Sequence, residues 1–197
     1  MIDILTPISN ILETDRVILK PFKIEDTFPF YRLIQKNKNR LQDSFPVTLD
    51  NTVNEETTEL FMQSKLSEWE ERISFAFGIW AKTESQLIGY MSIKNIDWVI
   101  PRAEIAYFIS YDYESKGFMK EALLRTIRFC FEELKIVRLY LRIMTDNTRS
   151  NMLAKKCGFT KEGTFKKDHR TFDGKLVNLN YYGMTDDDYQ KTFKSLK

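Results

Sequence analysis

The stretch Tyr113-Glu-Ser-Lys-Gly-Phe-Met-Lys-Glu-Ala-Leu123 decides how the rest of the chain is read. It joins a β-rich run, Ala103–Ser110, to a long amphipathic segment, Phe118–Leu134. In that segment Leu123, Ile127, Cys130, Phe131 and Leu134 recur at three- and four-residue spacing, as on one face of a helix. A second β-rich run, Val137–Met144, follows. Strand, helix and strand in that order make a right-handed crossover between two parallel strands. Gly117 sits where the helix begins. The first amides of a helix have no internal partner, and the helix dipole adds positive potential there. A glycine lets the backbone approach an anion closely, and Lys116 and Lys120 add charge, a combination suited to a pyrophosphate. Neither G-x-x-x-x-G-K-S/T nor G-x-G-x-x-G occurs, which excludes two common nucleotide-binding loops.

Upstream, Arg16–Phe22 alternates and carries Pro21, the mark of a short edge strand. Asp26 is placed to cap a helix over Phe28–Ile34, with Pro29 in its first turn. Residues 37–53 are polar and read as irregular. Asn54 then caps a second helix, whose apolar face is Leu60, Phe61, Ser64, Leu66 and Trp69. Phe75–Lys82 and Leu87–Ile96 read as a hairpin. Downstream, Asn147 opens a short helix to Lys156, and Gly158 is placed to end it. Phe159–His169 and Leu176–Met184 flank Phe172-Asp-Gly-Lys175, a strong hairpin signal. The charged tail from Thr185 is expected at the periphery. The order of elements is that of an α+β chain with a mixed, mostly antiparallel sheet.

A chain of 197 residues fits one domain. Thirty Lys and Arg against 28 Asp and Glu, with no long run of one sign, argue against a surface built to coat nucleic acid. Fifteen Phe, nine Tyr and three Trp fit either a dense core or aromatic-lined pockets. Cys130 and Cys157, the only cysteines, lie in apolar helical patterns and read as buried thiols in a reducing compartment. The opening MIDILTPISN has no basic region followed by a long apolar run, and no stretch reaches the ~18 apolar residues of a membrane span. A cytoplasmic protein without membrane contact is expected. No His, Cys and Asp cluster has metal-ligand spacing, so no metal is expected.

Glu114-Ser-Lys-Gly-Phe-Met-Lys-Glu-Ala-Leu123 resembles the acetyl-CoA loop of the GNAT superfamily of N-acetyltransferases, Gln/Arg-x-x-Gly-x-Gly/Ala followed by a helix. Gly117 matches that pattern, whereas Glu114 and Met119 depart from it. Three further stretches resemble one branch, the bacterial ribosomal-protein N-terminal alanine and serine acetyltransferases. Leu12-Glu-Thr-Asp-Arg-Val-Ile-Leu-Lys-Pro-Phe22 is similar to its opening strand, and Ala103-Glu-Ile-Ala-Tyr-Phe-Ile109 to the strand before its loop. Asp146-Asn-Thr-Arg-Ser-Asn-Met-Leu-Ala-Lys-Lys-Cys-Gly-Phe159 is similar to its late helix. The closing hairpin fits as well, so the resemblance runs over about residues 12–184.

The resemblance implies a three-layer α/β arrangement in which the strand before the loop splays from the next parallel strand, with acetyl-CoA as co-substrate in the gap. Backbone groups of Phe108, Ile109 and Ser110 would pair with the pantetheine, and Asn147 would touch it. Ser115, Lys116, Gly117, Phe118, Met119 and Lys120 would hold the pyrophosphate. Glu104, on the strand leading into the gap, is the candidate base. An ordinary glutamate pKa near ~4.3 is low for that task unless burial raises it. A second reading has Glu104 bind the substrate ammonium while water carries the proton. Ser150 would protonate the leaving thiolate, because this helix has no tyrosine for the purpose. Asn147 and Ser150 are also favoured helix caps.

The implied activity is acetyl transfer to a primary amine by direct attack in a ternary complex, in a monomer or homodimer. Asn39-Arg-Leu41 and Phe45-Pro46 resemble substrate-side segments of the ribosomal-protein enzymes, which favours a protein N-terminal amine. A polyamine or antibiotic acetyltransferase, and a non-catalytic acyl-CoA-binding module, stand as alternatives. His169, the only histidine, reads as solvent-facing or hydrogen-bonded. Trp80, Trp98 and Tyr107 either line an acceptor cleft or fill the core.

Overall fold

Strands with alternating apolar residues need a partner on each edge and cover on each face, and the chain meets both needs with one sheet. The computed structural model describes residues 8–194. Its eight strands are β1 (Leu12–Glu13), β2 (Val17–Pro21), β3 (Phe75–Ala81), β4 (Gln86–Asp97), β5 (Arg102–Ile109), β6 (Arg138–Met144), β7 (Thr160–Arg170) and β8 (Leu176–Thr185). Their spatial order is β1-β2-β3-β4-β5-β6-β8-β7. Every neighbouring pair is antiparallel except β5 and β6. That parallel pair holds register only from Arg102 opposite Arg138 to Glu104 opposite Tyr140. Beyond it β5 stays with β4 as far as Ile109, and β6 stays with β8 as far as Met144, so the two strands part company. The sheet forks at its centre.

Helices α1 (Thr27–Leu41), α2 (Pro46–Asp50), α3 (Glu55–Glu70), α4 (Phe118–Glu132), α5 (Thr148–Lys156) and α6 (Asp186–Tyr189) complete the architecture. Successive strand residues point to opposite faces, and the core divides accordingly. Phe75, Phe77, Ala103 and Ile105 pack with Leu123, Ile127 and Phe129 of α4. On the other face Ala76, Tyr90 and Phe108 pack with Phe30 and Ile34 of α1 and with Phe61 and Met62 of α3. Each fully buried side chain of this size contributes about 1.5–3 kcal/mol.

Local signals behave as their chemistry dictates. Asn54 Oδ1 accepts the Thr57 amide at 2.9 Å and starts α3. Gly158 ends α5 at φ 91°, and Gly174 takes the hairpin turn at φ 84°, conformations that suit glycine. Cys130 and Cys157 are buried and unbridged.

Four expectations are corrected. Residues 37–53 are not irregular: α1 runs on to Leu41, and α2 follows. The polar Asn37 is tolerated in the interior because its Nδ2 donates to the Leu33 carbonyl at 2.8 Å and its Oδ1 accepts the Tyr111 amide at 3.0 Å. Asp26 does not cap through the helix but accepts the Lys23 amide at 2.9 Å, closing a short 3-10 turn, Ile24–Asp26. Leu60 is 60% exposed and Met62 takes its place in the core, because α3 presents a different stripe to α1. The tail is not peripheral, since Tyr189 is buried and stacks on Phe131 at 4.8 Å. Among the described residues no helix is long and apolar enough to cross a membrane.

Candidate active site at the fork of the sheet

Where β5 and β6 diverge, a cleft of about 500 Å³ opens. Residues 104–109 of β5 form one wall and residues 141–144 of β6 the other. The loop before α4, the first turn of α5, and Arg40, Leu41 and Phe45 complete the lining. Of the expected site residues, Glu104, Phe108, Ile109, Ser115, Gly117, Met119, Lys120, Asn147 and Ser150 all line this cleft.

One end is built for an anion. Gly117 stands at φ 86° immediately before α4, with no side chain capping the helix. The first bond within the helix runs from the Glu121 amide to the Gly117 carbonyl, 3.1 Å, so the amides of residues 118–120 have no helical acceptor. The loop is braced from outside. Arg16 Nη1 donates to the Lys116 carbonyl at 3.0 Å, Arg16 Nε pairs with Glu121 at 2.8 Å, and the guanidinium lies 4.6 Å from the Phe118 ring centre. The Lys116 and Phe118 side chains do not line the cleft: the ammonium of Lys116 stands 5.4 Å from the Tyr113 ring, and Phe118 packs against that ring and the core.

Glu114, the residue that departs from the GNAT loop pattern, is an ion-pair hub. Its Oε1 pairs with Arg40 of α1, and its Oε2 accepts from Arg149 of α5 at 2.6 Å. Ser110 is committed to the turn: its amide donates to the Ile88 carbonyl at 2.7 Å, and its carbonyl accepts the Tyr113 amide at 2.9 Å. Phe108 and Ile109 are the members of that expected trio that face the cleft.

The other end holds a carboxylate. Glu104, 4% exposed, is the last β5 residue in register with β6. Its Oε2 accepts from Asn95 Nδ2 at 2.8 Å and lies 3.1 Å from Arg142 Nη2. Lys94 Nζ stands 3.7 Å from Oε1. These partners follow from register. Lys94 is the cross-strand neighbour of Glu104 on β4, and Arg142 lies two residues beyond Tyr140, on the same face. A bulge between Lys94 and Asp97, with Asn95 at φ 50°, accompanies the Asn95 amide's turn onto the carboxylate. Burial alone would lower the Arg142 guanidinium, but Glu104 and Tyr181 together hold it above its ordinary value.

On the α5 side, Asn147 Oδ1 accepts the Ser150 amide at 3.1 Å, so Asn147 caps the helix while the Ser150 hydroxyl is left to the cleft. The Tyr107 hydroxyl is buried nearby with no well-aligned hydrogen-bond partner. Burial pushes its pKa upward, and the Ser150 hydroxyl offsets a part of that. His169 meets the Asp43 backbone carbonyl at the cleft wall, the hydrogen-bonded role expected of it. Trp98 is anchored by the Arg72 carbonyl at 3.1 Å. Sequence reasoning missed Lys94, Asn95, Arg142, Arg40 and Arg149, whose importance appears only once strands and helices are placed side by side.

A sheet that forks beside an uncapped helix start is the architecture of an acyl-CoA-dependent N-acyltransferase. The family model described as an acetyltransferase (GNAT) domain matches residues 16–160. The chain belongs to that family, and is an N-acetyltransferase with acetyl-CoA as its co-substrate. It is 26% identical over 172 residues to the putative ribosomal N-acetyltransferase YdaF of Bacillus subtilis, covering 86% of this chain and 91% of that one. It is 30% identical over 141 residues to the ribosomal-protein-serine acetyltransferase of Escherichia coli, covering 71% and 76%. The fold superposes on the coenzyme A complex of RimL, a ribosomal L7/L12 alpha-N-protein acetyltransferase, with TM-score 0.82 at 21% identity, covering 89% and 97%. The cleft suits such a co-substrate: unpartnered amides for the phosphates, and an unzipped strand pair for the extended arm.

Proposed function

We propose that this enzyme, acting as one cytoplasmic acetyltransferase domain, 1–197 with its core at about residues 12–184, acetylates the α-amine of a protein N-terminus. The observation that carries the reading is the state of Glu104. Its Oε2 is held by Asn95 and Arg142, while Oε1 has no hydrogen-bond donor among the described residues, only Lys94 at 3.7 Å. One oxygen is fixed and the other is available to an incoming amine. The relatives named for ribosomal-protein acetylation support the choice of acceptor.

The amine surrenders its proton to Glu104, directly or through one water, and attacks the thioester carbonyl. The carbon–sulfur bond breaks, the Ser150 hydroxyl gives its proton to the departing thiolate and is reprotonated by the proton the nitrogen must still lose, and Glu104 returns its own proton to solvent. Backbone groups of Phe108 and Ile109 and the Asn147 side chain orient the pantetheine, and residues 115–120 hold the pyrophosphate. Such proton transfers contribute about 10²–10⁴-fold each.

The test is CoA release, with product mass, over a panel of N-terminal peptides, polyamines and aminoglycosides, for the native enzyme and Glu104→Gln. Acetylated peptides and a fall of about 10²-fold in kcat for the variant across pH 6–9 are expected. Turnover of small amines alone would replace the acceptor class. CoA binding without release for any acceptor would make the chain a binding module. An unchanged variant would remove Glu104 as base.

A further inference from the structure

At the fork, the single carboxylate is outnumbered. Lys94 and Arg142 both flank Glu104, and all three line the cleft. Exposure separates the signs. The side chains of Lys94 and Arg142 are 39% and 36% exposed, and that of Glu104 only 5%. Of the three groups at the fork, the two cations are therefore the more accessible and the carboxylate the least. Asp168 and Asp43 keep their charges, since their partners are the neutral Tyr181 hydroxyl at 2.7 Å and the Phe172 amide at 2.9 Å, but neither forms an ion pair with Lys94 or Arg142, so the surplus is local to Glu104. A chain of ammonium groups placed here meets a surplus of like charge, which disfavours it. An amine with an anion a few bonds away is balanced.

We infer that the acceptor carries an anionic group beside its amine. Taken with the proposed N-terminal reading, on which this refinement rests, that group is an Asp or Glu side chain at the second or third residue. An extended chain advances about 3.3–3.6 Å per residue. An α-amine at Glu104 Oε1 therefore puts the next side chains within reach of the Lys94 ammonium, while Arg142 remains on Oε2. Lys94 is thus a specificity residue: it selects among acceptors.

The experiment measures kcat/KM for peptides that share a first residue and carry Asp, Asn or Lys at positions two and three. Spermidine, β-alanine and β-alaninamide complete the panel, and the enzymes are the native protein, Lys94→Met and Lys94→Arg. The acidic peptide is expected to exceed its amide counterpart about tenfold, with the basic peptide and spermidine lowest. Lys94→Met brings that ratio near one, and Lys94→Arg retains it. A basic peptide or spermidine used as well as the acidic peptide overturns the inference, as does a ratio that Lys94→Met leaves unchanged. Peptides acetylated without charge preference sink this inference and leave the N-terminal reading standing. Unused peptides, with β-alanine favoured about tenfold over its amide, do the reverse. No turnover of any amine ends both.

Discussion

Glu114 and Arg149 form a 2.6 Å ion pair that ties the loop before α4 to the first turn of α5. Arg40 takes the other carboxylate oxygen, so two cations beside the phosphate end are occupied by a residue of the loop itself. Glu114→Gln removes a negative charge and frees both guanidinium groups to turn toward phosphate. Acetyl-CoA should bind several-fold more tightly to this variant and more weakly to Arg149→Ala, with a steeper salt dependence for Glu114→Gln. Calorimetric titration with CoA at two ionic strengths reads both. Weaker binding by Glu114→Gln would show that the carboxylate orders the site and does not compete for its cations.

Gly117 adopts φ 86°, and a Cβ there would lie 3.1 Å from Arg16 Nη2. Gly117→Ala should cost about 1–2 kcal/mol of stability through the left-handed backbone alone. The displaced Arg16 would also release the Lys116 carbonyl, so CoA affinity should fall with the melting temperature. A destabilised variant with native affinity would separate the turn from anion binding.

Ser150 and Asn147 can be told apart because the cap uses the backbone amide of Ser150. Ser150→Ala should keep the melting temperature and lower kcat by about 10²-fold. Asn147→Ala should lose about 1 kcal/mol of stability with the cap and raise KM for acetyl-CoA. Thermal melts beside steady-state kinetics decide it, and a Ser150→Ala enzyme with native kcat would end the proton-donor assignment.

Acid should loosen the brace on the loop. Burial would raise the Glu121 carboxyl, but hydrogen bonds from Thr14 and from the Arg16 amide and guanidinium outweigh it and leave it below the ordinary carboxylate range. A carboxyl whose folded pKa is depressed stabilises the fold above its unfolded value, near ~4.3, and that contribution is lost as pH falls through the folded pKa. Glu121→Gln should therefore melt earlier than the native protein at neutral pH, by an amount worth about 1 kcal/mol given the half-exposed arginine. The gap should close as pH drops from about 6 to about 3. A gap that is constant with pH would mean that the charge of Glu121 plays no part.

What was readable in advance was local or carried by resemblance. Gly117, Asn147, Asn54 and Gly158 act through their own backbone neighbourhood, so their positions could be read one segment at a time. The extent of α1 could not, because Asn37 is polar in sequence and its Oδ1 finds its partner in the Tyr111 amide, 74 residues away. The setting of Glu104 escaped for a similar reason. Lys94 and Arg142 become its neighbours through the registers of β4 and β6, and a one-residue slip would have sent each to the other face. Glu114 stood out only as a departure from the loop pattern until Arg40 and Arg149 were brought to it from two helices.

Among the described residues, β1–β5 are stitched to β6–β8 in the sheet by three register pairs, Arg102–Arg138 through Glu104–Tyr140, and by the Val137 amide on the Pro101 carbonyl at 2.7 Å just before them. The two panels are joined like the covers of a book at a short spine, with the cleft proposed for acetyl-CoA where pages would be. Binding there adds cohesion between the early and late parts of the chain. At a hundredfold excess over Kd such a ligand stabilises the folded state by about 2.7 kcal/mol. Acetyl-CoA in such excess is therefore expected to raise the melting temperature of the enzyme as well as to supply its turnover.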